Sequence, residues 1–247
     1  MDGIFEKFSV YDFFNLIISG GTFIGGLHLI GFAPLTFLVN DIKIPDNEIV
    51  ILAVILLICY IIGFELQGLS SWIEENILKI QSTMTGTFLF DNSGVIQNRE
   101  KLKIYRMKAT ELFESKNIKV KKNEFTEEQC EYFFAYSIYF VQVQGQSKKT
   151  EKMRGLKGLA SLWMVCFALL FFIGLVRSIF LLITGTDFQE MIVPFFSTIA
   201  FLILSITSYC RMKTNIKYWI RMLLGVYEVC SDLSDAINYR KTRYATK

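Results

Sequence analysis

The sequence predicts an all-α membrane protein. It has four transmembrane helices, a small, mostly helical cytoplasmic domain between the second and third, and a C-terminal cytoplasmic helix. Three observations predict this fold. The 247-residue chain is 52% hydrophobic and 20% charged, whereas an average soluble domain carries about 25% charged residues. Its apolar residues gather in four long runs that lack Asp, Glu, Lys and Arg. Of its 26 Lys and Arg residues, 23 fall in two segments that an even number of crossings places on one side. The composition also excludes other classes. An aromatic content of 15% excludes a disordered chain, which is poor in aromatics. Five Cys residues are too sparse, and odd in number, for a disulfide scaffold.

The first 73 residues supply an N-terminal interfacial segment and two spans. Met1 to Asp12 carries Asp2, Glu6 and Asp12 against Lys7, and the run that follows exceeds the roughly 7–15 apolar residues of a signal peptide. A retained first span is therefore expected over about 13–39, with an aromatic belt at Phe5, Phe8, Tyr11, Phe13 and Phe14. No lipidation box is apparent at either end. The second span is expected over about 49–73 and is interrupted only by Glu65. It works if that carboxylate lies near an interface or faces protein. The third and fourth are expected over about 158–183 and 191–210, each with about 20 uncharged residues, enough to cross a hydrocarbon core of about 30 Å. Lipid offers backbone groups no other partner, so each run must be helical.

Orientation follows from the cations. Residues 74–157 hold 15 Lys and Arg against 11 acids, and residues 211–247 hold eight against three. The positive-inside rule puts both segments, and both termini, in the cytoplasm of a bacterial inner membrane. The clusters flanking the spans weigh most: Lys148, Lys149, Lys152, Arg154 and Lys157 before the third, and Arg211, Lys213 and Lys217 after the fourth.

Within the cytoplasmic domain (74–157), no Gly or Pro interrupts Leu69 to Met84, so the second span is expected to run on as a helix through Ile80. Residues 85–98, rich in Gly, Ser, Asn and Thr, read as a loop or hairpin. Arg99–Ser115 reads as an amphipathic helix with Leu102, Tyr105, Ala109, Leu112 and Phe113 on one face. Thr126-Glu-Glu-Gln129 has the form of a capping box. It opens a helix through Tyr139 and Val143, whose continuation past Gly145 into the third span is left open. The tail (211–247) reads as a helix with Trp219, Leu223, Val226, Tyr227, Cys230 and Leu233 on one face.

Candidate functional residues fall into three groups. Asn15, Ser19, Thr22 and Gly26 form one narrow polar stripe on the first span, with a shorter counterpart in Ser197, Ser205 and Ser208 on the fourth. Such stripes line aqueous pathways or hold helices together. Gly21-Thr-Phe-Ile-Gly25 is a small-xxx-small pattern. His28, the single histidine, suits a proton relay or gate, or a ring bonded to a carbonyl or held at the outer interface. Glu65 is either an intramembrane functional carboxylate or an interfacial partner for a lysine. Arg99, Lys101, Lys103, Arg106 and Lys108, then Lys119, Lys121 and Lys122, could cradle an anion such as a nucleotide, with Tyr105 and Phe125 for base stacking. Alternatively they face anionic headgroups or a soluble partner. No phosphate-binding glycine loop, nucleophile elbow or zinc motif is present. No enzyme activity, cofactor, metal or sequence-specific nucleic-acid binding is expected.

Three segments carry a resemblance. Phe8–Gly21 is similar to the start of small bacterial membrane proteins that open "YD…YLIPG", with Ser19-Gly20 in place of their Pro-Gly. Tyr60–Ser71 resembles the end of their second span, and Lys152–Ala160 their approach to the third. These proteins are membrane effectors of anti-phage defence systems, of the Hailong and Kiwa membrane-subunit type. The resemblance implies a homo-oligomeric effector, a tetramer favoured, that depolarises or permeabilises the cell when a nucleotide messenger or partner protein signals. The alternative is a non-conducting scaffold that recruits a soluble partner.

Overall fold

In the computed structural model, the described residues are 10–32, 48–120, 124–185 and 188–245. They form helices joined by turns. The helices are α1 (Val10–Leu29), α2 (Glu48–Ile73), α3 (Ile80–Thr87), α4 (Arg99–Ser115), α5 (Glu127–Val143), α6 (Lys148–Thr184) and α7 (Phe188–Ala245). Three are long and apolar enough to cross a membrane: α2 with its extension to Leu78, α6 from Thr150, and α7. The apolar part of α1, Phe13–Leu29, is shorter, about 25 Å at a rise of about 1.5 Å per residue.

The first helix ends earlier than its uncharged run predicts. Gly31 takes φ +93°, its N–H bonds His28 O at 3.0 Å, and Phe32 N bonds Leu27 O at 2.9 Å. This pair of bonds is the Schellman arrangement, which closes a helix on a left-handed glycine. Residues 33–39 of the expected span, and Phe5 and Phe8 of the aromatic belt, lie outside the described residues. Gly145 does the same for α5. At φ +70° it donates to Gln142 O while Gln146 N bonds Val141 O, so α5 does not continue into α6.

The second expected span does not run on unbroken. After Ile73 the chain makes a π-helical turn over Glu74–Leu78, and Lys79 sits at φ 46°. No Gly or Pro marks this place. Ser82 and Thr83 both turn their hydroxyls back onto Lys79 O, at 3.0 and 2.8 Å, a bonding choice with which Ser and Thr compete with the helical ladder. The expected fourth span and the tail, by contrast, form one continuous 58-residue helix.

Two compact units emerge. The first comprises the described residues up to Glu74 together with Gly158–Met212. Here α1 and α2 approach backbone to backbone. A Cβ on Gly20 would overlap the Cys59 carbonyl, and one on Gly63 would overlap the Leu16 carbonyl. The small-xxx-small pair singled out from the sequence plays a lesser part. Gly21 meets only Cys59 Sγ, at ordinary contact distance, and Gly25 meets nothing. The core is Ile30, Leu66, Leu162, Cys166, Phe167, Leu170 and Phe201, with Phe167 stacked on Phe201. Outward, Leu57, Phe64, Phe172, Val176, Phe196 and Ile203 are all more than half exposed, as lipid-facing side chains are.

The second unit comprises Glu75–Lys157 and the chain from Lys213 onward. Helix α4 occupies the predicted residues, and its five expected core positions are the buried ones. The Asn98 side chain caps it by accepting from Glu100 N and Lys101 N. The predicted capping box opens α5, with Thr126 N bonded to Gln129 Oε1 and Gln129 N to Thr126 Oγ1. Residues 88–98 are turns and bends rather than a β-hairpin. The core is aromatic: Phe134 meets Trp219 edge-on at 5.2 Å, and Phe133 meets Tyr227 edge-on at 5.5 Å. On α7, Trp219, Leu223 and Tyr227 of the expected face are buried, together with Ile216, Ile220 and Leu224. Leu233 is exposed, so the buried face ends before it.

Gly20→Ala and Gly63→Ala should each lower stability, since overpacking costs about 1–3 kcal/mol. Gly25→Ala, which fills open space, should be neutral or stabilise by about 0.5–1 kcal/mol. Thermal unfolding of the full chain in detergent checks the order.

Candidate functional site

The polar stripe of α1 turns largely into the protein. Ser19 is fully buried. Its hydroxyl donates to Asn15 O at 2.7 Å, and its own carbonyl receives the Cys166 thiol at 3.9 Å. Gly26 is buried, with the Leu170 methyl groups against the position a Cβ would take. Thr22, partly buried, bonds back to Ile18 O at 2.8 Å, and Asn15 is partly buried. Of the α7 serines, Ser205 donates to Met164 O at 3.2 Å, and Ser197 and Ser208 are partly exposed. A buried polar contact between two helices was not anticipated from sequence. Ser70 Oγ donates to Ser161 Oγ at 2.8 Å, joining α2 to α6. The bonds of Ser70 to Ser161, Ser205 to Met164 O and Cys166 to Ser19 O join helix to helix, a use small polar residues commonly have in membrane bundles, whereas the Ser19 and Thr22 hydroxyls bond within α1. His28 and Glu65 are both exposed, one near the end of α1 and the other two-thirds along α2, and no described contact brings them together.

The basic residues of α4 divide. Lys108 is largely buried and bonds both Ser231 Oγ at 2.5 Å and Asp232 Oδ1 at 2.6 Å. Lys101 lies 4.0 Å from Glu228, which also accepts the Tyr105 hydroxyl at 3.2 Å. Arg106 points the other way, to Leu89 O at 2.8 Å and Asp91 at 3.1 Å. Arg99, Lys103 and Lys119 stand exposed at the surface. Lys121 and Lys122 lie outside the described residues. Tyr105 and Phe125 are both buried, Phe125 against Phe113, so neither offers an open face for a base.

These contacts make a latch between α4 and the tail part of α7. It consists of Lys101, Tyr105 and Lys108 on one helix and Glu228, Ser231 and Asp232 on the other. The acidic side was missed in the sequence because only cations were sought there. Its signal is the i, i+4 spacing of Glu228 and Asp232, which matches a partner helix along one face. Burial and the Glu228 carboxylate hold the Tyr105 phenol well above its usual range, so it stays protonated and donates its hydrogen bond to Glu228.

Beside the latch lies a shallow cleft of about 290 Å³ lined by Ile96, Gln97, Asn98, Lys101, Tyr105 and Arg221. Arg221 donates through Nε to Val95 O, which fixes its guanidinium at the rim. Lys101 and Arg221, with the N-terminus of α4, give this recess a positive lining that suits an anion. Groups of His, Cys, Asp and Glu able to hold a metal are absent among the described residues.

Comparison with protein-family models, with curated proteins and with solved structures finds no match to this chain.

Two outcomes follow. Lys108→Ala and Tyr105→Phe should each destabilise by about 1 kcal/mol, the usual net loss for one hydrogen bond, and Lys103→Ala by less than about 0.5 kcal/mol. Denaturant or thermal unfolding measures both. Burial pushes the Cys130 thiol up to about 11. It should resist alkylation in the native protein at pH 8, while partly exposed Cys230 reacts. The folded state favours the protonated thiol, so this contribution is present below pH ~9 and is lost as pH rises toward 11.

Proposed function

We propose that this protein is an inner-membrane effector of bacterial antiviral defence. It crosses the bilayer four times with both termini in the cytoplasm and assembles as a homo-oligomer, four copies favoured. On a cytosolic signal, a nucleotide messenger or partner protein, it conducts ions or disrupts the membrane. The defence assignment rests on the three resembling segments.

The observation that carries the gated reading is the latch beside a basic cleft. An anion entering the cleft competes with Glu228 for Lys101 and weakens the hold on the tail. Helix α7 contributes to both units, so it is the covalent route by which such a change reaches the apolar part. The inward-turned polar stripe supports the need for several copies. A single protomer commits Ser19 and Gly26 to its own packing, so water must pass between protomers or through disturbed lipid. A second reading, a scaffold that recruits a soluble partner, is favoured by the exposed Tyr132, Tyr139 and Val143 along α5.

Full-length protein in liposomes should pass ions when a cognate nucleotide or partner is supplied. Glu228→Gln with Asp232→Asn should raise flux without ligand by roughly 5–30-fold, as expected for removing 1–2 kcal/mol from the closed state. A latch variant that stays silent under every ligand, while the wild type retains a soluble partner stoichiometrically, would select the scaffold.

A further inference from the structure

Arg177 is unexplained by everything above. It is the sole charged residue between Lys157 and Asp187, inside a helix long and apolar enough to cross a membrane. The uncharged run it ends, Gly158–Val176, is 19 residues, about 28 Å, close to the hydrocarbon thickness of a bilayer. With Lys157 at one interface, a crossing of that length brings Arg177 to the other, where headgroup phosphates begin. An ionisable residue at such a place asks for a partner.

Its surroundings hold the cation but do not neutralise it. The guanidinium carbon lies 5.7 Å from the Phe32 ring and 5.7 Å from the Phe180 ring, both in cation–π range. Nε is 3.9 Å from where a Cβ on Gly31 would be, beside the C-terminus of α1. That helix end carries partial negative charge. Yet among the described residues Nε is buried with no hydrogen-bond partner, and so is the hydroxyl of the adjacent Ser178. No carboxylate pairs with Arg177 among the described residues. Phe180, one turn along the same face, is 54% exposed, so this is a face that meets lipid.

We infer that Arg177 is a binding site for a phosphodiester, supplied by the headgroup of a membrane phospholipid. The planar guanidinium suits two phosphate oxygens at once. The two rings and the end of α1 preset its direction. A glycerol headgroup is preferred over choline, whose own cation competes with the arginine. The site belongs to the apolar unit and is independent of the cleft and latch, so it stands or falls apart from the proposed effector function.

The test is native mass spectrometry of the full chain released from micelles. The lipids are phosphatidylglycerol, phosphatidylcholine or phosphate-free diacylglycerol, with soluble glycerol phosphate as competitor. The wild type should retain phosphatidylglycerol in preference to phosphatidylcholine and should not retain diacylglycerol. R177Q should retain one phosphatidylglycerol fewer per protomer. R177K, which keeps the charge but loses the fork, should fold and bind about tenfold more weakly than wild type. Equal retention by wild type, R177K and R177Q would overturn the site, as would equal retention of diacylglycerol. Complete displacement by millimolar glycerol phosphate would overturn the lipid as its source.

Discussion

The apolar unit depends on one contact, the crossing of α1 and α2 where Gly20 faces the Cys59 carbonyl and Gly63 faces the Leu16 carbonyl. Apolar side chains gain nothing by leaving lipid for one another, so helices in a membrane associate through close packing and polar bonds. Two reciprocal glycines let the backbones touch over a surface that any side chain would hold apart. The pair so formed presents Ser19 and Gly26 to α6, where Cys166 and Leu170 meet them. Ser70 and Ser161 tie α2 to α6 further along. Each later contact uses a face that the first crossing has positioned.

The second unit is held by a different physics. Its core of Phe88, Phe113, Phe133, Phe134, Trp219 and Tyr227 is an aromatic cluster with edge-on ring contacts. Over that core, charge does the aligning. The cations of α4 meet the acids of α7 in register: the exposed Lys101–Glu228 pair contributes little stability, while largely buried Lys108 contributes more. Their effect is specificity: they set which part of α7 lies along α4.

The polar stripe shows how the same residues carry two meanings until neighbours are known. Asn15, Ser19, Thr22 and Gly26 lie on one side of a helix whether they face water or protein. In this chain Ser19 and Gly26 face protein, and the hydroxyls of Ser19 and Thr22 satisfy themselves on their own helix. The basic cluster makes the parallel point. Arg106 and Lys108 are two positions apart in sequence, yet one points to the 89–91 turn and the other to α7. Only partners that arrive from 17 and 124 residues away separate them.

Sequence alone determined the helical class, the long apolar helices, the bounds and buried face of α4, and the capping box of α5. These are local matters: uncharged runs, a 3.6-residue period, and a Thr and a Gln three residues apart. The break at Lys79 was invisible, because neither the π-turn before it nor its left-handed backbone is marked by a Gly or Pro. The end of α1 at Gly31 was hidden inside an uncharged run that hydropathy reads as continuous. Which glycine allows close approach, which cation is latched and which is open were decided only by tertiary structure. Each depends on what lies opposite, and a side chain's role in packing or charge pairing is a property of two surfaces.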